Sequence, residues 1–245
     1  DHCRGMQTHF HLGAPEDFPK SSNKIFVREI WSSPMVFRRA SKLHTLCDDA
    51  QAFNTEARRR VKFFRESATL GDGNRILILG EDQDGKTDDL IAILVKADEV
   101  FSKVNGQSDA TFSARLLAPH PKHLEETEED LSAKNHSSTI LNISLASGGY
   151  LDAGRFLTGG DAEVAIWERL WERHKAHSDW LAYNVLETPH HCSWHTFSHD
   201  SWSELKEKAL VSESARNALS QTRDGAVVVA NSKPIKDDDN DPPCI

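Results

Sequence analysis

Cysteine is scarce in this 245-residue chain: there are four, at positions 3, 47, 192 and 244, with no C-x-x-C pair. That pattern excludes a disulfide framework, and a reducing, cytoplasmic setting is the simpler expectation. Long apolar runs are also missing. Nothing approaches the ~18 residues needed to span a bilayer, so no membrane insertion is expected. Positive charge is in deficit, with 29 Lys and Arg against 38 Asp and Glu and a net charge of −9. Dedicated duplex binders are usually basic, so the balance argues against tight non-specific duplex binding. It does not exclude a nuclease, because metal ions supply local positive charge that the formal count omits. Internal repeats are absent, and no shift in composition marks a second domain.

What the chain does have is enough apolar sequence for a core: 38% of its residues are hydrophobic. It also has 13 histidines, several of them gathered between 174 and 199. Two stretches organise the reading. In Phe156-Leu-Thr-Gly-Gly-Asp-Ala-Glu163, a short apolar run stops at two glycines and delivers Asp161 just before a helix. In Thr188-Pro-His-His-Cys-Ser193, a strand ending near Leu186 delivers His190 and His191. A carboxylate and an imidazole at strand ends are ligand types suited to zinc or manganese.

Residues 24–31 are rich in β-branched and aromatic side chains and read as a strand. Leu43, Leu46, Cys47, Ala50, Phe53, Ala57, Val61 and Phe64 recur at helical spacing, which predicts a helix over 41–67. Its Arg58-Arg59-Arg60 cluster reads as a solvated face or, more sharply, as a phosphate-contacting patch. Strands are predicted at 75–80, 111–118 and 138–147, with a return strand at 155–158 after the Gly148-Gly149 turn. A helix follows over 162–174, where Val164, Trp167, Leu170 and Trp171 form the apolar stripe. Its start beside Asp161 puts a helix N-terminus, which favours anions, near the candidate site. A strand over 181–187, helices within 202–222 and a strand over 226–231 complete the order. His120 and His123, after the 111–118 strand, are candidates for lining a cleft.

Four motifs occur in sequence: Asp1-His2 with Gly5; Asn135-His-Ser-Ser138; Thr158-Gly-Gly-Asp-Ala-Glu163; and Pro189-His-His-Cys-Ser193. In order and spacing, over most of the chain, this set resembles the metallo-β-lactamase-fold hydrolases, and within them the soluble hydrolase part of the ComEC-like branch from bacterial DNA uptake. The resemblance implies an α+β fold, the αββα four-layer sandwich, which the strand and helix alternation also suggests. It further implies two divalent metal ions, zinc favoured and manganese possible. The ligands are drawn from Asp1, His2, His136, Asp161, His190 and His191. Asp1 is also assigned to catalysis, together with His195, which is placed to protonate a leaving group. Ser193 and Asn135 are assigned to substrate binding, although Ser193 reads equally as a turn cap.

The implied reaction is phosphodiester hydrolysis of a nucleotide or single-stranded nucleic acid by a metal-activated hydroxide. The alternatives are ester or amide hydrolysis, as in lactonases and lactamases, or a non-catalytic binding module on the same fold. The chain departs from the family pattern in three places. Cys192 stands where a glycine is usual, Gly159-Gly160 adds a residue, and the first two family ligands would precede Asp1. The sequence therefore reads as a single domain over 1–245 that lacks its N-terminal strands and last helix.

Overall fold

The computed structural model describes residues 3–19, 21–34, 36, 45–82, 85–121, 135 and 137–232. It is a mixed α and β structure that divides into two compact units. One comprises Asp1–Lys96, Lys103–Asp109 and Pro121–Ala133; the other comprises Ala97–Ser102, Ala110–His120 and Lys134–Ile245. Asp1, His2 and His136, three of the expected metal ligands, lie outside the described residues, as does His123.

The first unit is built on a three-stranded parallel sheet of Glu29–Ser32, Arg75–Leu79 and Leu94–Val95. Ile30, Ile76, Ile78, Leu90 and Ile93 form its core against Ala57 and Val61 of the helix Asp48–Ser67. The helix predicted over 41–67 begins only at Asp48, where Cys47 is extended. Its first turn carries Asp48 and Asp49, and the Asp49 carboxylate accepts from the Gly5 and Gln7 N–H groups at 2.8 and 2.9 Å. It ends where Ala68 turns left-handed. The strand predicted over 24–31 is interrupted at Val27 and Arg28, and the arginine cluster supplies a reason. Arg60 is 1% exposed and donates to the Val27 and Arg75 carbonyls, each at 2.8 Å. Its Nε donates to Glu56, itself 3% exposed, at 2.7 Å. Arg59 donates to the same carboxylate and to the Gly73 carbonyl. Two of the three arginines are thus turned inward as clamps on strand ends, which corrects both the solvated-face and the phosphate-patch readings for Arg59 and Arg60.

The second unit carries a six-stranded mixed sheet in the order Thr222–Val229, Tyr183–Glu187, Tyr150–Leu157, Ile140–Ser147, Phe112–Ala118, Val100–Phe101. The hairpin Ile140–Ser147/Tyr150–Leu157 turns through Gly148 and Gly149, both at positive φ, as a tight two-residue hairpin turn requires. Its return strand starts at Tyr150, earlier than the sequence predicts, because Tyr150 pairs with Ser147 directly across that turn. The two strands beyond it, Tyr183–Glu187 and Thr222–Val229, pair in parallel.

Val164, Ile166, Trp167 and Leu170 of the helix Val164–His174 are buried with Leu117, Ile140, Leu157, Leu181, Leu186 and Ala215. Trp167 is fully buried and donates from Nε1 to the Ala162 carbonyl at 3.1 Å, so this tryptophan belongs to the core as its spacing predicts. Asn142 is a buried polar exception in the sheet. Its amide donates to the Trp180 and Ala182 carbonyls, each at 2.9 Å, and so ties the hairpin to the segment leading into Tyr183–Glu187.

Candidate functional site

Parallel pairing explains how residues 161 and 190–191 come together. Phe156 lies opposite Val185 and Leu157 opposite Leu186, so both strands end at one level of the sheet and their loops leave side by side. Thr158 fastens the first strand end through hydrogen bonds in both directions with Leu141. Gly159 then passes so close to the neighbouring loop that a Cβ there would sit 2.7 Å from the Glu187 carbonyl oxygen and from the Pro189 Cα. Only glycine permits that approach. The His190 N–H donates to the Gly160 carbonyl at 2.8 Å and joins the two loops.

The result is a cluster of two imidazoles and two carboxylates. His191 Nε2 lies 3.6 Å from Asp161 Oδ1, and His190 Nδ1 lies 3.8 Å from Glu163 Oε1. The His190 Nδ1 is buried and has no hydrogen-bond partner. Burial pushes the His190 pKa down, against the opposing pull of Glu163 and Asp161, so the ring favours its neutral, ligand-competent form. The backbone here is unusual. His190, His191 and Cys192 have φ of 46, 54 and 66°, three consecutive non-glycine residues in the left-handed region. Such conformations cost roughly 1–2 kcal/mol each and concentrate at functional sites. Cys192 adopts this φ without glycine's freedom.

Two ligand atoms about 2.0–2.1 Å from one tetrahedral zinc lie about 3.3–3.4 Å apart. The 3.6 Å between Asp161 and His191 fits such a pair, but among the described residues no third ligand atom joins it within 4.8 Å, and His190 presents its buried, unpartnered nitrogen to Glu163 instead. The remaining residues behave differently. The Ser193 hydroxyl is 3% exposed and accepts from the His195 N–H at 3.3 Å, so it takes the turn-capping role. The Asn135 amide donates to Glu163 Oε1 at 2.8 Å and positions that carboxylate. His195 is exposed, one turn beyond the paired histidines. His199 pairs with Glu168 at 3.0 Å. The helix N-terminus expected to attract anions carries Glu163 as its capping residue, which puts negative charge where a phosphate would dock.

A second constellation lies within the same unit. Among the described residues, Asp98, His120 and His174 each present a ligand atom, all within 4.8 Å of one another. Asp98 Oδ1 is 3.2 Å from His174 Nε2 and 3.8 Å from His120 Nε2. All three atoms are buried, and none has a hydrogen-bond partner. Both rings are held below the usual histidine range, mainly by burial, His120 down to about 4. The signal for His174 was in the sequence: it lies four residues after Leu170 on the apolar stripe, where a histidine must be buried. Asp98 sits at positive φ in a short turn and has no comparable signal.

No family model, curated protein or solved structure matches the chain, so these two clusters stand on their own geometry.

Proposed function

We propose that the chain is a metal-dependent hydrolase, with phosphodiesters of nucleotides or single-stranded nucleic acid as the favoured substrates and the αββα sandwich as its fold. The observation that carries this reading is the Asp161–His191 pair, 3.6 Å apart at two aligned strand ends. The left-handed backbone of His190, His191 and Cys192 supports it, because a local cost of that size is seldom kept without a use.

In this role Asp161 and His191 would hold a divalent ion, and His190 would turn from Glu163 to join them on binding. Zinc is favoured by the mixed nitrogen and oxygen donors, with manganese as the second choice. The bound ion would supply a water of lowered pKa and polarise the scissile bond. In this reading His195, exposed and just past Ser193, gives a proton to a departing alkoxide. Glu163 and the net charge of −9 disfavour a long polyanionic duplex, and so favour a substrate with few phosphates.

The test is hydrolysis of bis(4-nitrophenyl) phosphate by zinc- or manganese-loaded protein, beside Asp161→Ala and His191→Ala. Turnover should fall by about 100-fold or more in each variant while far-UV circular dichroism is unchanged. Absence of diester turnover together with lactone opening would move the activity to esters and amides. Absence of both from metal-loaded protein would leave a binding role.

A further inference from the structure

We propose that Asp98, His120 and His174 form a structural site for one first-row divalent cation, zinc by preference. This set of side chains is separate from the strand-end cluster and does not depend on the hydrolase reading.

The geometry points to a cation rather than to an internal hydrogen-bonded knot. Asp98 Oδ1, His120 Nε2 and His174 Nε2 face one another, yet none makes a hydrogen bond. His174 is 2% exposed, and leaving a polar atom unpartnered at such depth costs about 1–3 kcal/mol. With sides of 3.2 and 3.8 Å and a third within 4.8 Å, a point equidistant from the three atoms lies about 2.4 Å or less from each. Zinc–nitrogen and zinc–oxygen bonds are about 2.0–2.2 Å, so on binding the two rings would close towards each other, to the separation of about 3.3 Å that a tetrahedral ion sets. Two imidazoles and one carboxylate make a borderline donor set that suits zinc over calcium or magnesium.

The surroundings prepare the ligands. Arg173 donates from Nε to Asp98 Oδ2 at 2.8 Å and brings Nη2 into an ion pair with the same oxygen, also at 2.8 Å, and so leaves Oδ1 aimed at the two rings. Such outer partners orient metal ligands. The arginine also cancels the carboxylate's charge, which lowers the affinity below that of a site with a free aspartate. The three ligand atoms are closed to solvent, which favours a structural role over a catalytic one. The site would pin the turn at Asp98, the end of the strand Phe112–Ala118 and the last residue of the helix Val164–His174 to one another. The three side chains supply three of the four positions of a tetrahedral ion, and solvent would have to supply the fourth.

Cobalt(II) titration of metal-stripped full-length chain tests this, read by visible absorption and by bound-metal stoichiometry, beside His120→Asn, His120→Cys and Asp161→Ala. Wild type and Asp161→Ala should show a tight four-coordinate cobalt signal. His120→Asn should lose one equivalent, or bind it about 100-fold or more weakly. His120→Cys should keep the equivalent and add thiolate-to-cobalt charge-transfer absorption, which distinguishes ligation from a merely structural effect. The proposal is overturned if wild type takes up no cobalt with this signature. It is equally overturned if His120→Asn retains the signature, or if only Asp161→Ala loses it.

Discussion

Replacing Glu56 by alanine should destabilise the first unit by about 3 kcal/mol, and the structure gives the terms. The carboxylate accepts three charged hydrogen bonds: from Arg60 Nε at 2.7 Å, and from Arg59 Nε and Nη2 at 2.8 and 2.7 Å. Arg59 is partly exposed and keeps the Asn74 side chain and the Gly73 carbonyl, so water can satisfy what it loses. Arg60 cannot be rescued in that way. Removing its partner leaves a cation that is 1% exposed, and breaking a buried pair typically costs about 3–5 kcal/mol. Arg60 retains its carbonyl contacts at Val27, Arg28 and Arg75, which places the cost at the lower end of that range. Glu56→Gln keeps one acceptor and should cost about half as much. Arg60→Met should cost more than Glu56→Gln, because it also strips those carbonyls of a donor. Urea denaturation followed by far-UV circular dichroism measures all three. A Glu56→Ala loss below about 0.5 kcal/mol would refute the clamp, since surface substitutions fall in that range.

Three further outcomes are expected. Cys192→Gly should raise stability by about 0.5–1 kcal/mol, because φ of 66° suits glycine better than cysteine; a lowered urea midpoint would contradict this. In metal-free protein, the depressed His120 pKa makes the folded state bind fewer protons than the unfolded chain between pH 6.5 and about 4. Its contribution is present above pH 6.5 and is lost towards pH 4, by at most about 3 kcal/mol; urea midpoints across that window should fall less steeply in His120→Gln. Asn142→Leu should cost about 2–3 kcal/mol in thermal or urea unfolding, because two buried carbonyls lose their donor while the volume is nearly kept; a neutral result would mean that solvent reaches them.

The sequence made the strand-end cluster legible because its signals are local. An apolar run that stops at Gly159-Gly160, and another that stops at Pro189, fix where each strand ends, and parallel pairing does the rest. The hairpin and the Val164–His174 helix were legible for the same reason, through two glycines at a turn and an apolar stripe. What stayed hidden depends on distant partners. Nothing near Arg59 or Arg60 says that each folds inward, because the carbonyls they meet belong to Gly73, Val27 and Arg75. Asp98 and His174 lie far apart in sequence and join His120 only through tertiary packing. The break in the 24–31 strand is likewise set from outside, since β-propensity runs unbroken through Val27.

The outermost strand of the six-stranded sheet has a consequence for handling the protein. Among the described residues, Thr222–Val229 has one sheet neighbour, Tyr183–Glu187, and its Val227, Val228 and Val229 are each about half exposed. Three successive valines on an open strand make a template onto which another chain can zip, whereas the two-residue Val100–Phe101 strand at the opposite border is too short to do so. Concentrated solutions should therefore gel or cloud through this border first. The mutual repulsion of chains carrying −9 counters that tendency, and added salt or a pH near 5.8 removes the protection. A lysine in place of Val228 would restore it.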